Sequence, residues 1–261
     1  MKYRYFWYVL IIAFVLGMFF SACGGLLSTP TVTQTLAPTH TPELTSTSTS
    51  TPMITPSLTE TPDIAATQQY TNFLSMVQIY YEAGQISTTE GKYVVLDDYQ
   101  HELASKLAYA WAETGLIAKN FIVRADFEWS NAINTVNISG CGFIYRMQPN
   151  QDHYVIILDA VSGVKLASHT DRGTVSMGSP QNGEQNLSNF GSGPYQATLT
   201  LIVNELQTYV YVDDIYFGDY KLLEYRIRDA GPLANAVLSA TSERYGTRCK
   251  MTNVRAWIID E

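Results

Sequence analysis

Hydrophobic positions follow three different patterns along the chain. From Tyr5 to Phe20 they form a nearly unbroken apolar run behind the basic residues Lys2 and Arg4. Between Leu27 and Pro62 they almost vanish into a stretch of Thr, Ser and Pro, typified by Thr45 to Pro52. From Asp63 onward they become periodic. Tyr70, Phe73, Leu74, Val77, Tyr80 and Tyr81 recur at helical spacing, which predicts a helix from Asp63 to about Ala83. Asp63 is placed to cap its start and Gly84 to stop it. Tyr99, Leu103, Leu107 and Trp111 then recur every fourth residue, which suggests a second helix over Asp97 to Glu113.

Beyond Ala118 the period changes to two. Phe121, Val123, Ala125, Phe127 and Trp129 alternate with mostly polar neighbours, the pattern of a strand with one buried face. Further strands are expected over Asn137 to Met147, His153 to Asp159, Gly163 to His169, Ala197 to Val203, Gln207 to Val212, Leu233 to Ala240 and Arg248 to Ile259. His153 to Asp159 is apolar on both faces, as for a strand deep in a sandwich. Thr174 to Gly193, rich in Gly, Ser, Asn and Gln, reads as a long loop or a weak strand with loops. Asn204-Glu205 and Asp213-Asp214 are turn signals. Many short strands with turns between them predict a mainly β, antiparallel sandwich or barrel behind a short helical element.

The apolar run at the N-terminus is short of the ~20 residues a membrane span needs. With its basic start it fits a secretory signal. It closes on Phe20-Ser21-Ala22-Cys23, which resembles the lipobox of bacterial lipoprotein signal peptides, with Phe20 where leucine is usual. That resemblance implies cleavage before Cys23 and lipidation of Cys23. An uncleaved anchor helix is the alternative, and Lys2 and Arg4 would hold the N-terminus inside in either case. The expected organisation is therefore a signal peptide at 1–22, a lipid-anchored disordered linker at 23–62, a helical element at 63–92 and the sandwich at 93–261. Repeated Thr-Pro steps favour extended geometry, so the linker could reach on the order of 100 Å. The expected location is outside the cytoplasm, at the cell surface or in the periplasm.

The chain has three cysteines. Committing Cys23 to lipid leaves Cys141 and Cys249 as an even pair that would oxidise outside the cytoplasm. Two buried free thiols are the alternative. A net charge of −8 without a Lys/Arg block disfavours nucleic acid as a partner.

The order of features suggests a family. Strand Phe121 to Trp129 is followed by Ser139-Gly140-Cys141-Gly142-Phe143-Ile144-Tyr145-Arg146, then Asp152-His153-Tyr154, Ala197 to Asn204, Tyr209-Val210-Tyr211-Val212-Asp213, Tyr245 to Cys249 and Asn253 to Trp257. This order resembles the concanavalin A-like lectin/glucanase jelly roll, closest to laminin-G-like modules, over roughly Tyr93 to Glu261. The resemblance implies two packed sheets, one concave, with sugars often held on the concave face or rim loops. It also makes a bridge between Cys141 and Cys249 compatible with the fold. It carries over no ligand-binding residue.

Chemistry enters last. The related glucanases carry Glu-x-Asp-x-x-Glu on one strand, and this sequence has no such motif. Asp126 and Glu128 share a strand face and are the nearest candidates for a hydrolytic pair. His153 and His169 could meet across a hairpin, with Asp152 or Asp171 as further metal donors. Asp213, Asp214 and Asp219 could offer oxygens to calcium. Each of these has a plainer reading as a strand-end or turn residue, so no metal and no cofactor is expected. Aromatics are the better clue. Tyr209 and Tyr211 share a face, and Tyr216 and Tyr220 follow, a set that could stack against sugar rings or form an ordinary cross-strand ladder. The expectation is a non-catalytic carbohydrate-binding or adhesion-like module, monomeric, with the membrane lipid anchor and a glycan or polysaccharide as partners. The alternatives are a structural or protein-interaction module of the envelope and a glycoside-active enzyme.

Overall fold

The computed structural model describes residues 63–133, 138–159, 163–182 and 194–260. The expected signal peptide, Cys23 and the linker to residue 62 lie outside the described residues. Helix α1 (Ile64–Glu82) comes first. Asp63 caps it, its carboxylate accepting from the Ala66 backbone N–H at 3.0 Å. Gly84 ends it with φ +72°, the left-handed conformation that suits glycine just past a helix.

Strands follow: β1 (Gly91–Val95), β2 (Tyr99–Leu103), β3 (Ala108–Ala118), β4 (Phe121–Asn131), β5 (Gly140–Tyr145), β6 (His153–Asp159), β7 (Gly163–Thr170) and β8 (Gly173–Ser176). The rest are β9 (Tyr195–Asn204), β10 (Gln207–Val212), β11 (Ile215–Lys221), β12 (Gly231–Ser239) and β13 (Thr247–Ile259). They form two antiparallel sheets. Sheet A runs β1-β13-β4-β9-β10-β11, with β2 also on β13, and sheet B runs β3-β12-β5-β6-β7-β8. The sheets stack as a sandwich, the jelly-roll class expected from the sequence.

Alternation decides which side chains fill the space between them. Phe121, Val123, Phe127 and Trp129 of β4 point inward and meet Cys141, Phe143 and Tyr145 of β5. Phe127 and Phe143 pack edge to face at 5.4 Å, as do Phe121 and Tyr145 at 5.9 Å. Each such fully buried ring contributes about 1.5–3 kcal/mol through the area it removes from water. Cys141 on sheet B and Cys249 on sheet A are disulfide-bonded, with Cα atoms 5.6 Å apart. Where the period slips, a bulge restores it. Asn253, at φ +55°, sits in a register shift between Thr252 and Arg255, and Met251 and Val254 therefore both face the core.

The expected second helix is not formed. Asp97 to Glu113 spans β2, a turn at Leu107 with φ +54°, and the first half of β3. A spacing of four keeps residues on one face of a strand as well as one face of a helix, so Tyr99 and Leu103 fit either element. The stretch expected as a loop or weak strand from Thr174 contains β8, which pairs with β7.

Candidate ligand-binding face

Each sheet has an outer face, and the two differ. On sheet A, α1 covers half of it. Phe73, Val77 and Tyr80 of the helix pack on Ile122, Ile202, Trp257 and Ile259, with Tyr93, Tyr209 and Tyr211 at the margin. The Tyr209–Tyr211 face expected from alternation is real, but the helix lies on it. Tyr211 packs against Tyr80 at 5.3 Å and accepts a hydrogen bond from Gln85 Nε2 at 2.6 Å. Tyr216 meets Tyr211 at 5.2 Å and donates to Asp219 Oδ1 at 2.7 Å. Tyr220 points the other way, into the core. A bulge between Val210 and Tyr211, opposite Gly218, reverses the parity of β11 between Tyr216 and Tyr220. The four tyrosines are thus not brought onto a single open platform.

The uncovered half of sheet A is polar. Asp126, Glu128, Gln196, Thr198, Lys250 and Thr252 line a groove of about 380 Å³. Asp126 accepts from Thr198 Oγ1 and from Asn253 Nδ2, both at 2.8 Å. The three aspartates weighed for calcium are engaged separately. Asp213 accepts from the Thr198 backbone N–H at 2.8 Å and Asp214 pairs with Arg124. Asp219 accepts from Tyr216, Asn182 and Gln207.

The outer face of sheet B is curled. Strands β12 and β5 separate β3 from β6. On a flat sheet that would hold β3 and β6 ~14 Å apart. Tyr109 of β3 nevertheless places its hydroxyl 2.9 Å from Nε2 of His153 on β6 and its ring 6.0 Å from that of His169 on β7, four strand spacings or ~19 Å away on a flat sheet, so the face is concave. Small residues allow the curl. Ala234 and Ala236 of β12 form part of its floor, and Tyr109 packs on them. On β5, a Cβ at Gly142 would lie 1.7 Å from the Ile156 carbonyl oxygen, so only glycine permits β5 and β6 to approach as they do.

Four rings gather on this face. Tyr109 lies 5.8 Å from Trp111, and Trp111 lies 6.1 Å from His153. His153 and His169, directly opposed on β6 and β7, stack at 4.9 Å. Trp111 remains 38% exposed while His153 is 1% exposed, so the group runs from an open lip to a buried base. Hydrogen bonds fix its protonation. His153 Nδ1 lies 2.6 Å from the Gln151 carbonyl oxygen, which only accepts, so Nδ1 carries the proton. Nε2 of the neutral ring then accepts from Tyr109. Burial pulls the His153 pKa below its ordinary value, opposed by the Gln151 hydrogen bond, and the neighbouring His169 lowers it further. The two histidines meet as the hairpin predicted, but Asp171 turns away to Arg226 at 2.7 Å.

Two hollows are found near these strands, and Tyr109 walls the first. One of about 250 Å³ is walled by Tyr109, Ile138, Val155, Ile157 and Leu238, with Lys165, Thr174 and Ser176 on its polar side. The other, of about 420 Å³, lies further along β3 between Glu113, Ile117, Gln148, Gln151 and Pro232. From the sequence, neither Tyr109 nor Trp111 is among the candidate ligand-binding residues, and Trp111 is assigned to a helix face. The signal was present in Ala108-Tyr109-Ala110-Trp111-Ala112-Glu113, where small and large residues alternate with period two.

No protein-family model matches the chain, and no curated protein matches it in sequence. Among solved structures it is similar to a carbohydrate-binding module from Bacillus subtilis, with a TM-score of 0.43 and 9% identity over 65% of this chain and 98% of that one. It is also similar to a fructosyltransferase from A. japonicus, with a TM-score of 0.41 and 13% identity over 66% of this chain. A third is a beta-fructofuranosidase from Aspergillus kawachii, with a TM-score of 0.42 and 11% identity over 64% of this chain. The chain spans only 27% of each of those two enzymes. At such identities these likenesses transfer no residue role and no ligand.

Proposed function

We propose that this chain is a non-catalytic carbohydrate-binding module, monomeric, that takes a glycan along the concave face of sheet B. One observation carries the reading. Trp111 and Tyr109 stand as an open aromatic pair on a concave floor of small residues, with Glu113, Lys165, Thr174 and Ser176 around them. Flat aromatic faces accept the C–H faces of sugar rings, and a few convergent polar groups orient the hydroxyls. The test is a glycan and polysaccharide panel screened with the detergent-solubilised full chain under oxidising conditions. Selective binding is expected. Trp111→Ala should weaken it at least tenfold with the circular dichroism spectrum unchanged, while Tyr209→Ala on the helix-covered face should leave it intact. Weakening by Tyr209→Ala alone would move the site to sheet A. Absence of binding by folded, disulfide-bonded protein would favour an envelope interaction module.

A second reading, glycoside hydrolysis, rests on the groove holding Asp126 and Glu128. Release of new reducing ends from a bound glycan, lost in Glu128→Gln, would establish it.

The module is held outside the cytoplasmic membrane, in this reading, by lipid on Cys23. The Phe20-Ser21-Ala22-Cys23 sequence supports this, and so does the Cys141–Cys249 bridge, because disulfides persist in oxidising compartments. Metabolic labelling with palmitate should mark the native chain and not Cys23→Ala. Equal labelling of both would overturn the anchor.

A further inference from the structure

The smaller hollow on the concave face contains a cation that aromatic stacking leaves unused. Lys165 stands opposite Ile157 in the β6–β7 pair and is half-buried. It lines the hollow with Tyr109, Ile157 and Leu238 on the apolar side and Thr174 and Ser176 on the polar side, the Thr174 hydroxyl lying 2.8 Å from His169 Nδ1 and the Ser176 hydroxyl accepting from the Gly178 N–H at 3.2 Å. Among the described residues it has no ion-pair or hydrogen-bond partner. The nearest carboxylate by register, Asp159, is fully buried and does not line the hollow. Glu113 lines the other hollow.

We propose that this hollow selects an acidic sugar, a uronic acid residue whose carboxylate pairs with Lys165. The inference rests on the carbohydrate-binding reading and names its ligand class. Lys165 has no counter-charge among the described residues, and a ligand carboxylate in the hollow would supply one through a charge-assisted hydrogen bond. A uronic acid carries an apolar ring face and a carboxylate on one ring. That combination matches a Tyr109 wall facing a cation and two hydroxyls. The net charge of −8 works against long-range attraction of anions, so the preference must come from short-range pairing at Lys165.

The test compares oligogalacturonate and oligoglucuronate with neutral galactose and glucose oligomers of equal length, by calorimetry on the full chain. The acidic oligomers should bind at least tenfold more tightly than their neutral counterparts. Lys165→Met should bring the acidic-to-neutral ratio down to about one, and Lys165→Arg should keep it near the native value. Equal binding of acidic and neutral oligomers, or an acidic preference that survives Lys165→Met, overturns the inference and leaves the carbohydrate reading standing. Binding of neither kind, with the native chain also silent across the wider glycan panel, overturns both.

Discussion

His153 is the residue on which the aromatic face depends, because it is both buried and committed to one protonation state. Its Nδ1 proton goes to the Gln151 carbonyl, and its Nε2 accepts from Tyr109. Facing it are Tyr109 and Trp111 from β3 and His169 from β7, with Asp152 beside it in the chain. A proton on Nε2 would turn that acceptor into a donor and place a cation against the His169 ring. Burial therefore depresses the folded pKa below the ordinary value of about 6.5. The unfolded chain takes up the proton near pH 6.5 while the folded chain resists it. The contribution is complete above that pH and is lost as the pH falls from there toward the depressed folded value. The melting temperature of the native chain should thus drop more between pH 7 and pH 5 than that of His153→Gln. Parallel drops would show that His153 is not the group involved. The meeting of His153 and His169 was legible in the sequence, because a hairpin opposes residues at equal distance from its turn. The approach of Tyr109, forty-four residues away, was not. It depends on the curl of four strands, and curvature leaves no period in a sequence.

At the scale of elements, the strands with one clean period were legible and those with a mixed signal were not. β4 and β9 alternate over most of their length, Ile122 and Ile202 being the outward apolar exceptions that the helix covers, and α1 repeats at helical spacing, so the existence of these elements and their core-facing sides follow from side-chain direction. Over β2 and the first half of β3 the sequence predicts a helix because Tyr99, Leu103, Leu107 and Trp111 are spaced by four, a number that suits both periods. The tyrosines of β10 teach a different lesson. Alternation places Tyr209 and Tyr211 correctly on one face, but it does not say what lies over that face. The answer is α1, whose Phe73, Val77 and Tyr80 need apolar partners and find them on the outer surface of sheet A. Covering one sheet with the helix leaves the aromatic face of sheet B as the open one. The partnership of an N-terminal helix and a distant sheet thus determines which of two aromatic sets meets solvent.

For the whole molecule, the decisive covalent fact is that one bond joins the two sheets. Cys141 lies on β5 of sheet B and Cys249 on β13 of sheet A, and 108 residues separate them in sequence. Both are fully buried in the core between the layers. In the chain-entropy account, closing a loop of that length removes about 4–5 kcal/mol of freedom from the unfolded state. A typical domain has only about 5–15 kcal/mol of net stability, so the bridge is a large share of it. The Cys141→Ala/Cys249→Ala double variant should therefore unfold at a markedly lower urea concentration, with stability reduced by about 4–5 kcal/mol, and native protein treated with dithiothreitol should move in the same direction. The denaturant slope should rise as well, because an uncrosslinked chain exposes more surface on unfolding. A midpoint that does not move would mean that packing alone holds the sheets together. A midpoint that falls as expected would show that the bridge carries a large part of the hold between the layers, since the reduced domain would keep its two sheets, and the concave face of one of them, with far less reserve.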